Sequence, residues 1–420
     1  MHPGKQPVGG SVKEGSPFAI GLLATAHFAN DAVTSMLPAL LPLLAMRFRL
    51  ASSELALLVC VFAVSTALPQ PLFGLLADRM GRRGVGALGL GVSAAFVAAL
   101  SLVTSMPSLY AALIVGGLGS SALHPAGMGL VRAISSKNPG LAIAIFSSAG
   151  MAGGAVGPVL AIAVASVFGF ETLAWTAVPV LVVATLLARL GPNAAPAVTG
   201  RRVVSGFSLV KGPIAWLFVV ALLGSIVMLT FMSAVPVWLV TERGVAETSS
   251  LIGLTLGTFS LAAAAGGIAG GVLARSVEPS RLVVGSLVLS AVALESVFFT
   301  VPGSALYVIA VAAAGTLLGL HGPLVISRAQ ELAPGSESAV AGLLLGTTWG
   351  VAGLVYAGFG LAQSVMGVGG TLTIVSLLAL PAAHLAAATF RNVSQPNPAR
   401  PCADPCVRDV PCCAEVAAAA

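Results

Sequence analysis

The sequence predicts an all-α membrane protein with twelve transmembrane helices in two pseudo-symmetric six-helix bundles, and three observations lead there. Of 420 residues, 57% are hydrophobic and 8% charged, where an ordinary soluble domain carries about 25% charged residues. With a mean hydropathy of +1.01, most side chains must face lipid or one another rather than water. Charge is also excluded from long stretches. None falls between Gly84 and Val131 or between Ser338 and Phe390, and each stretch is long enough for two spans of roughly 20 residues and a turn. Finally, the chain echoes itself: His124-Pro125, Arg132 and Pro139-Gly140 are answered by His321-Gly322-Pro323, Arg328 and Pro334-Gly335 at the corresponding joint of the second half. That is the mark of an internal repeat.

A membrane β-barrel does not fit, because runs such as Val308 to Gly315 are apolar on every face rather than alternating. The apolar runs place spans near 18–46, 53–77, 84–104, 108–134, 140–166, 171–190, 213–241, 248–274, 281–300, 304–329, 337–364 and 368–390. The first sixteen residues are polar and rich in Gly and Pro, and the first apolar run holds His27, Asn30 and Asp31 without a cleavage site. It reads as a retained span, not a secretory leader. Residues 1–17 are then an N-terminal arm, 18–190 and 213–391 the two bundles, 191–212 a linker rich in Pro, Gly, Ala and Arg, and 392–420 a tail. With an even number of spans both termini share one side. Of the 20 Lys and Arg residues only Arg47, Arg49 and Arg243 fall on the opposite side, so the positive-inside rule puts both termini in the cytoplasm of an inner membrane. The net charge of +6 follows from this loop bias and does not imply a nucleic-acid partner.

The loop after the second span reads Gly74-Leu-Leu-Ala-Asp78-Arg79-Met-Gly81-Arg82-Arg83. Gly74 permits close helix approach, Gly81 a tight turn, and the mixed charges of Asp78, Arg79, Arg82 and Arg83 can pair or cap helix ends. A plain positive-inside anchor would use the same arginines. The corresponding stretch of the second half, Gly270-Gly271-Val-Leu-Ala-Arg275-Ser-Val-Glu278-Pro279-Ser280-Arg281, lacks the Asp-Arg pair. In the fifth span Gly150, Gly153, Gly154, Gly157 and Pro158 let helices touch and bend the rod, whether for packing or for movement.

The Gly74–Arg83 stretch matches the signature G-x-x-x-D-R-x-G-R-R, and through it the chain resembles the major facilitator superfamily of transporters. The Gly153/Gly157/Pro158 pattern is similar to one found in its exporter branches. His27-Phe-Ala-Asn30-Asp31, Leu37-Pro38, Gln70-Pro71-Leu72-Phe73-Gly74 and Leu123-His124-Pro125 resemble the fosmidomycin-resistance branch over about residues 20 to 160. The resemblance implies alternating access by a functional monomer and proton-driven export of small organic compounds, with the Asp78–Arg83 motif as a cytoplasmic latch and no cofactor. Uptake by symport is the alternative.

His27, Asn30 and Asp31 stand at i, i+3 and i+4 and share one helical face. An ionised Asp31 near mid-bilayer costs roughly 2.5 to 3.5 kcal/mol, so it must face a wet cavity or a partner. Proton coupling by Asp31 with His27 is one role; a structural Asp–His–Asn cluster is the other. Asn30, Gln70, His124 and His321 are candidate cavity residues, although either histidine also fits a satisfied core position. Glu295, on the ninth span, is expected to reach the outer interface. No nucleophile–base pair, phosphate loop or metal cluster is recognisable within the spans, so an enzyme is not expected.

Cys402, Cys406, Cys412 and Cys413 in the tail are the one soft-metal set, with a spacing unlike a zinc signature. They also define a different class, a membrane sensor reading a ligand through its tail. A chain ending near Val393 is expected to transport at close to the full rate; loss of transport at undiminished membrane insertion would favour the sensor.

Overall fold

The computed structural model describes residues 16–135, 139–193, 211–333 and 336–394. The arm, most of the linker, Lys137, Pro334-Gly335 and the four tail cysteines lie outside the described residues. Among the described residues every regular element is helical. Eleven segments are long and apolar enough to cross a bilayer.

Helix α1 (Pro17–Thr34) starts on Pro17, whose fixed φ and missing N–H suit a first helical turn. It yields to α2 (Met36–Phe48) at Ser35, where an unbroken span was expected. Pro38 accounts for the break, because a proline ring collides with the carbonyl four residues earlier, here that of Thr34, the last residue of α1. The second span repeats the device. Helix α3 (Ser52–Ala67) ends four residues before Pro71, and α4 (Gln70–Met80) follows. Helix α5 (Arg82–Leu102) leaves α4 through Gly81, whose φ of 102° favours glycine. Helix α6 (Met106–Ile134) is capped by the Ser105 hydroxyl; α7 (Pro139–Phe168) leads through a 3₁₀ turn (Phe170–Thr176) into α8 (Ala177–Leu190).

In the second half α9 (Gly212–Thr241), α10 (Ser250–Leu273), α11 (Pro279–Phe299) and α12 (Ala305–Glu331) are unbroken. The short α13 (Glu337–Gly342) passes through a π turn at Leu343–Thr347 into α14 (Thr348–Ser376), followed by α15 (Ala379–Ser394). The apolar segment Ala339–Arg391 has 53 residues, about 80 Å if straight against a hydrocarbon core of about 30 Å. Gly367, at φ 81° and ψ 169°, interrupts it, in the gap left between the runs at 337–364 and 368–390.

Large apolar side chains such as Leu88, Phe168, Trp175, Phe299, Leu361 and Val365 are exposed, as expected of a surface solvated by lipid. Helices before residue 191 meet those after 211 chiefly along α3 with α14, α7 with α10, and α2 with α9. Two of these seams are built from the smallest residues. A Cβ on Gly253 or Gly257 of α10 would strike the backbone at Pro158 or Ala155 of α7, and one on Gly353 or Gly360 of α14 would strike Ala63 or Ala56 of α3.

Candidate functional site

The expected face of α1 is formed, and it is joined by residues from two other helices. Asp31 lies between two imidazoles: His27 Nε2 is 3.3 Å from Asp31 Oδ2, and His124 Nε2, from α6, is 3.3 Å from Asp31 Oδ1. The two rings sit edge to face with centroids 5.0 Å apart. The Asn30 amide donates to Asp31 Oδ1 at 2.9 Å and to the Ser120 hydroxyl at 3.0 Å. His27 also stacks on Phe146 of α7 at 4.2 Å. Three helices therefore place one ionisable cluster. His124 and Asp31 retain 31% and 24% side-chain exposure, so the cluster is not wholly sealed.

Hydrogen bonding assigns the protons on the rings. His27 Nδ1 is 2.8 Å from the Phe146 carbonyl, and His124 Nδ1 is 2.8 Å from the Ser120 carbonyl. A carbonyl only accepts, so each Nδ1 carries a hydrogen and each neutral ring turns a lone pair on Nε2 toward the carboxylate. A single carboxyl proton bridges one of the two contacts. Bridging both takes two protons, whether as a carboxylic acid beside an imidazolium or as two imidazolium rings flanking a carboxylate. The cluster is a three-base site with a built-in appetite for positive charge.

Glycines on α7 make this arrangement possible. A Cβ on Gly150 would fall on the His27 ring and the Asp31 carboxylate, one on Gly153 on the Phe28 carbonyl, and one on Gly157 on the Ala32 carbonyl and Ser35 hydroxyl. Gly154 faces open space, and the Pro158 carbonyl lies against α10. Gly74 corrects an expectation. Its added Cβ would stand 3.5 Å from Pro125 Cβ, an ordinary contact, so close approach does not require glycine there in this conformation.

The charged motif is assembled within the first half. Asp78 Oδ1 receives a fork from Arg82, at 2.8 Å from Nε and 2.7 Å from Nη2, and Arg82 Nη1 donates to the Gly129 carbonyl of α6 at 3.2 Å. Arg83 donates to the Gly191 carbonyl at 3.3 Å. Arg79, in the last turn of α4, is exposed.

Two candidate cavity residues stand apart from the cluster. Gln70 donates to Thr66 O at 3.0 Å and lies near Gly346 of the π turn, at the seam of the two halves. His321 occupies the position on α12 that answers His124, but its Nδ1 bonds to Leu318 O of its own helix and its ring fits against Gly224 of α9. Among the described residues it makes no ion pair. Two polar contacts between helices of the second half join neutral groups: Ser225 to Thr348 at 3.1 Å and Thr255 with Tyr307 at 3.0 Å. Glu295 is half-buried near the end of α11; one carboxylate oxygen is buried without a hydrogen-bond partner, and Thr373 of α14 bonds to the side chain.

Two further corrections concern a grouping and a residue that the sequence did not show. Three ligand-type atoms, one each from His27, Asp31 and His124, lie within 4.8 Å of one another, so a metal-type cluster does exist within the spans. His124 lies far from Asp31 in the chain, and no local spacing could show the pairing; the only local hint was Ser120 at i−4 from His124. Glu242, at the end of α9, was also missed. Its Oε1 accepts from Val368 N at 2.7 Å and Gly369 N at 3.0 Å, capping the helix that resumes after Gly367.

Membrane-length apolar helices enclosing a partly exposed ionisable cluster point to a multi-pass membrane transporter rather than an enzyme. Residues 23–357 match the Major Facilitator Superfamily, and the chain belongs to that family. It is 26% identical over 374 residues to the fosmidomycin resistance protein of Escherichia coli (strain K12), covering 85% of this chain and 90% of that protein. It is 24% identical over 379 residues to the uncharacterized MFS-type transporter YfnC of Bacillus subtilis (strain 168), covering 86% and 89%. Among solved structures, a bacterial homolog of the human lysosomal transporter Spinster, inward-facing and unoccupied, superposes with a TM-score of 0.78 at 15% identity over 90% of this chain and 98% of that one. The nucleoside transporter NupG superposes at 0.72 and 15% identity, covering 89% and 100%. At such identities the structural likeness concerns the fold alone.

Proposed function

We propose that this chain is a proton-coupled exporter of a small organic molecule, working by alternating access as a monomer in an inner membrane with both termini cytoplasmic. In this reading the interrupted Ala339–Arg391 segment is two spans, so that twelve spans form two bundles at 18–190 and 213–391 joined by the 191–212 linker. The observation that carries it is the Asp31 cluster: a partly exposed carboxylate held between two imidazole lone pairs changes its proton content as its surroundings change from one side of the membrane to the other. The similarity to a fosmidomycin resistance protein supports export. His321, which makes no ion pair among the described residues, suits substrate contact, while the Asp31 cluster carries the ionisable chemistry.

The test is accumulation in everted vesicles energised to be acidic inside, with fosmidomycin first in a panel of small anions and amphiphiles. Uphill accumulation that collapses with the proton gradient supports the proposal. Accumulation only in right-side-out vesicles, driven by inward proton flow, would establish uptake by symport instead.

The same reading assigns the Asp78–Arg82 pair to the cytoplasmic latch. With the orientation set by the charges, α2 closes on α9 at the outer side while α4 packs on α5 and α6 of its own half, the arrangement of an inward-open state. Asp78→Ala releases Arg82 from its fork. That fork is already made in this arrangement, so the latch requires a further contact that Asp78 gains only when the cytoplasmic side closes; loss of about 1 kcal/mol there raises the inward-open population about fivefold. Labelling of single cysteines placed on the two sides of the cavity reads this shift, and unchanged labelling on both sides removes the latch assignment.

A further inference from the structure

The His27–Asp31–His124 cluster has the features of a metal centre as well as of a proton site. We propose that these three residues form a binding site for a divalent first-row transition ion of the zinc class, held by the two Nε2 atoms and the carboxylate with a fourth position open to the cavity. The proposal rests on the geometry of the cluster and not on the transport reading.

Four observations support it. The donor set, two imidazoles and one carboxylate, is one that zinc-class ions take. Its spacing is near what coordination needs: metal–ligand bonds of about 2.0 to 2.1 Å in a tetrahedron set ligand atoms about 3.3 to 3.4 Å apart, and each Nε2 is 3.3 Å from one carboxylate oxygen, His27 from Oδ2 and His124 from Oδ1. One ligand atom from each residue falls within 4.8 Å of the others, and binding an ion draws them closer. The outer shell is also in place. Both Nδ1 atoms donate to backbone carbonyls, which fixes the tautomer that aims Nε2 at a metal, and Asn30 donates to the carboxylate as ligating carboxylates require. Finally, the exposure of His124 and Asp31 provides an entry path and room for a water or an oxyanion in the fourth position, while Gly150 leaves the wall thin enough to admit the cluster.

An ion at this site displaces the protons that would otherwise bridge the three bases, so its affinity rises with pH. The four tail cysteines would also take up such an ion, and the experiment removes them. Full-length protein with Cys402, Cys406, Cys412 and Cys413 all changed to Ser is purified in detergent and titrated with Co(II), followed by equilibrium dialysis and by the visible absorption of the bound ion. The expected result is one ion per chain, an absorption spectrum of nitrogen and oxygen ligands without thiolate bands, and displacement by Zn(II). His27→Ala and His124→Ala should each weaken binding by about a hundredfold, with Asp31→Asn as the same-size variant should either alanine protein fail to elute as a single species. Binding of less than a tenth of an ion per chain by the protein without its tail cysteines overturns the proposal. So does binding that is unchanged in all three variants, which would mark an adventitious ion only. Because binding is read at equilibrium, its absence beside intact gradient-driven transport removes the metal site alone, whereas Co(II) binding beside coupling that survives Asp31→Asn removes the proton assignment alone.

Discussion

Asp31→Asn is expected to reduce gradient-driven accumulation to the equilibrium level while leaving substrate exchange across the membrane intact. The substitution keeps the size of the side chain and an oxygen for the Asn30 amide to bond, but removes the carboxylate between the two imidazoles. A carrier that no longer binds and releases a proton there can still alternate; it cannot be driven uphill. Exchange should also lose its pH dependence, because the remaining histidines then face a neutral amide instead of a charge. Uphill accumulation with the original pH profile in the Asn protein would show that coupling resides elsewhere.

Gly157→Leu is expected to deplete folded protein severely, and Gly154→Leu to leave it nearly unchanged. The two glycines are neighbours on one helix, yet a Cβ at 157 would land on the Ala32 carbonyl and the Ser35 hydroxyl, while one at 154 meets nothing within 4 Å. Overpacking a tight core costs about 1 to 3 kcal/mol, and here the obstacle is backbone, which cannot rotate away. Helix α1 would have to retreat from α7, carrying Asp31 with it. Fluorescence-detected size exclusion of tagged protein after heating reads the difference. Equal thermal stability of the two variants would mean that α1 and α7 do not meet as described.

The spans were legible because lipid imposes a one-dimensional rule: apolar runs of sufficient length, ended by charge or by Gly and Pro. The joint at Gly367 fell in a gap between two such runs. The breaks at Ser35 and after Ala67 were not expected, although Pro38 and Pro71 stand four residues beyond each last helical carbonyl and the signal was present. The shared face of His27, Asn30 and Asp31 was legible from the helical repeat alone. His124 was singled out but assigned to the cavity, since nothing local tells a histidine on one helix that it will face an acid on another. The same limit hid Glu242, whose partners are backbone amides more than a hundred residues away. The sequence sets His321 against His124, but their surroundings differ, since among the described residues only His124 meets a carboxylate.

The glycine and alanine seams between α7 and α10 and between α3 and α14 bear on how freely such a molecule can rock. Helices that meet through large side chains interlock, and tilting one against the other requires ridges to be lifted out of grooves. Where glycine lies against bare backbone there are few teeth to disengage, and the seams act as a pair of smooth bearings on which the angle between helices can change while contact is kept. The resistance to motion is then concentrated away from the bearings, at the contact of α2 with α9 and at the charged turn between α4 and α5. In the proposed alternating cycle those are the contacts whose making and breaking decides which way the molecule faces.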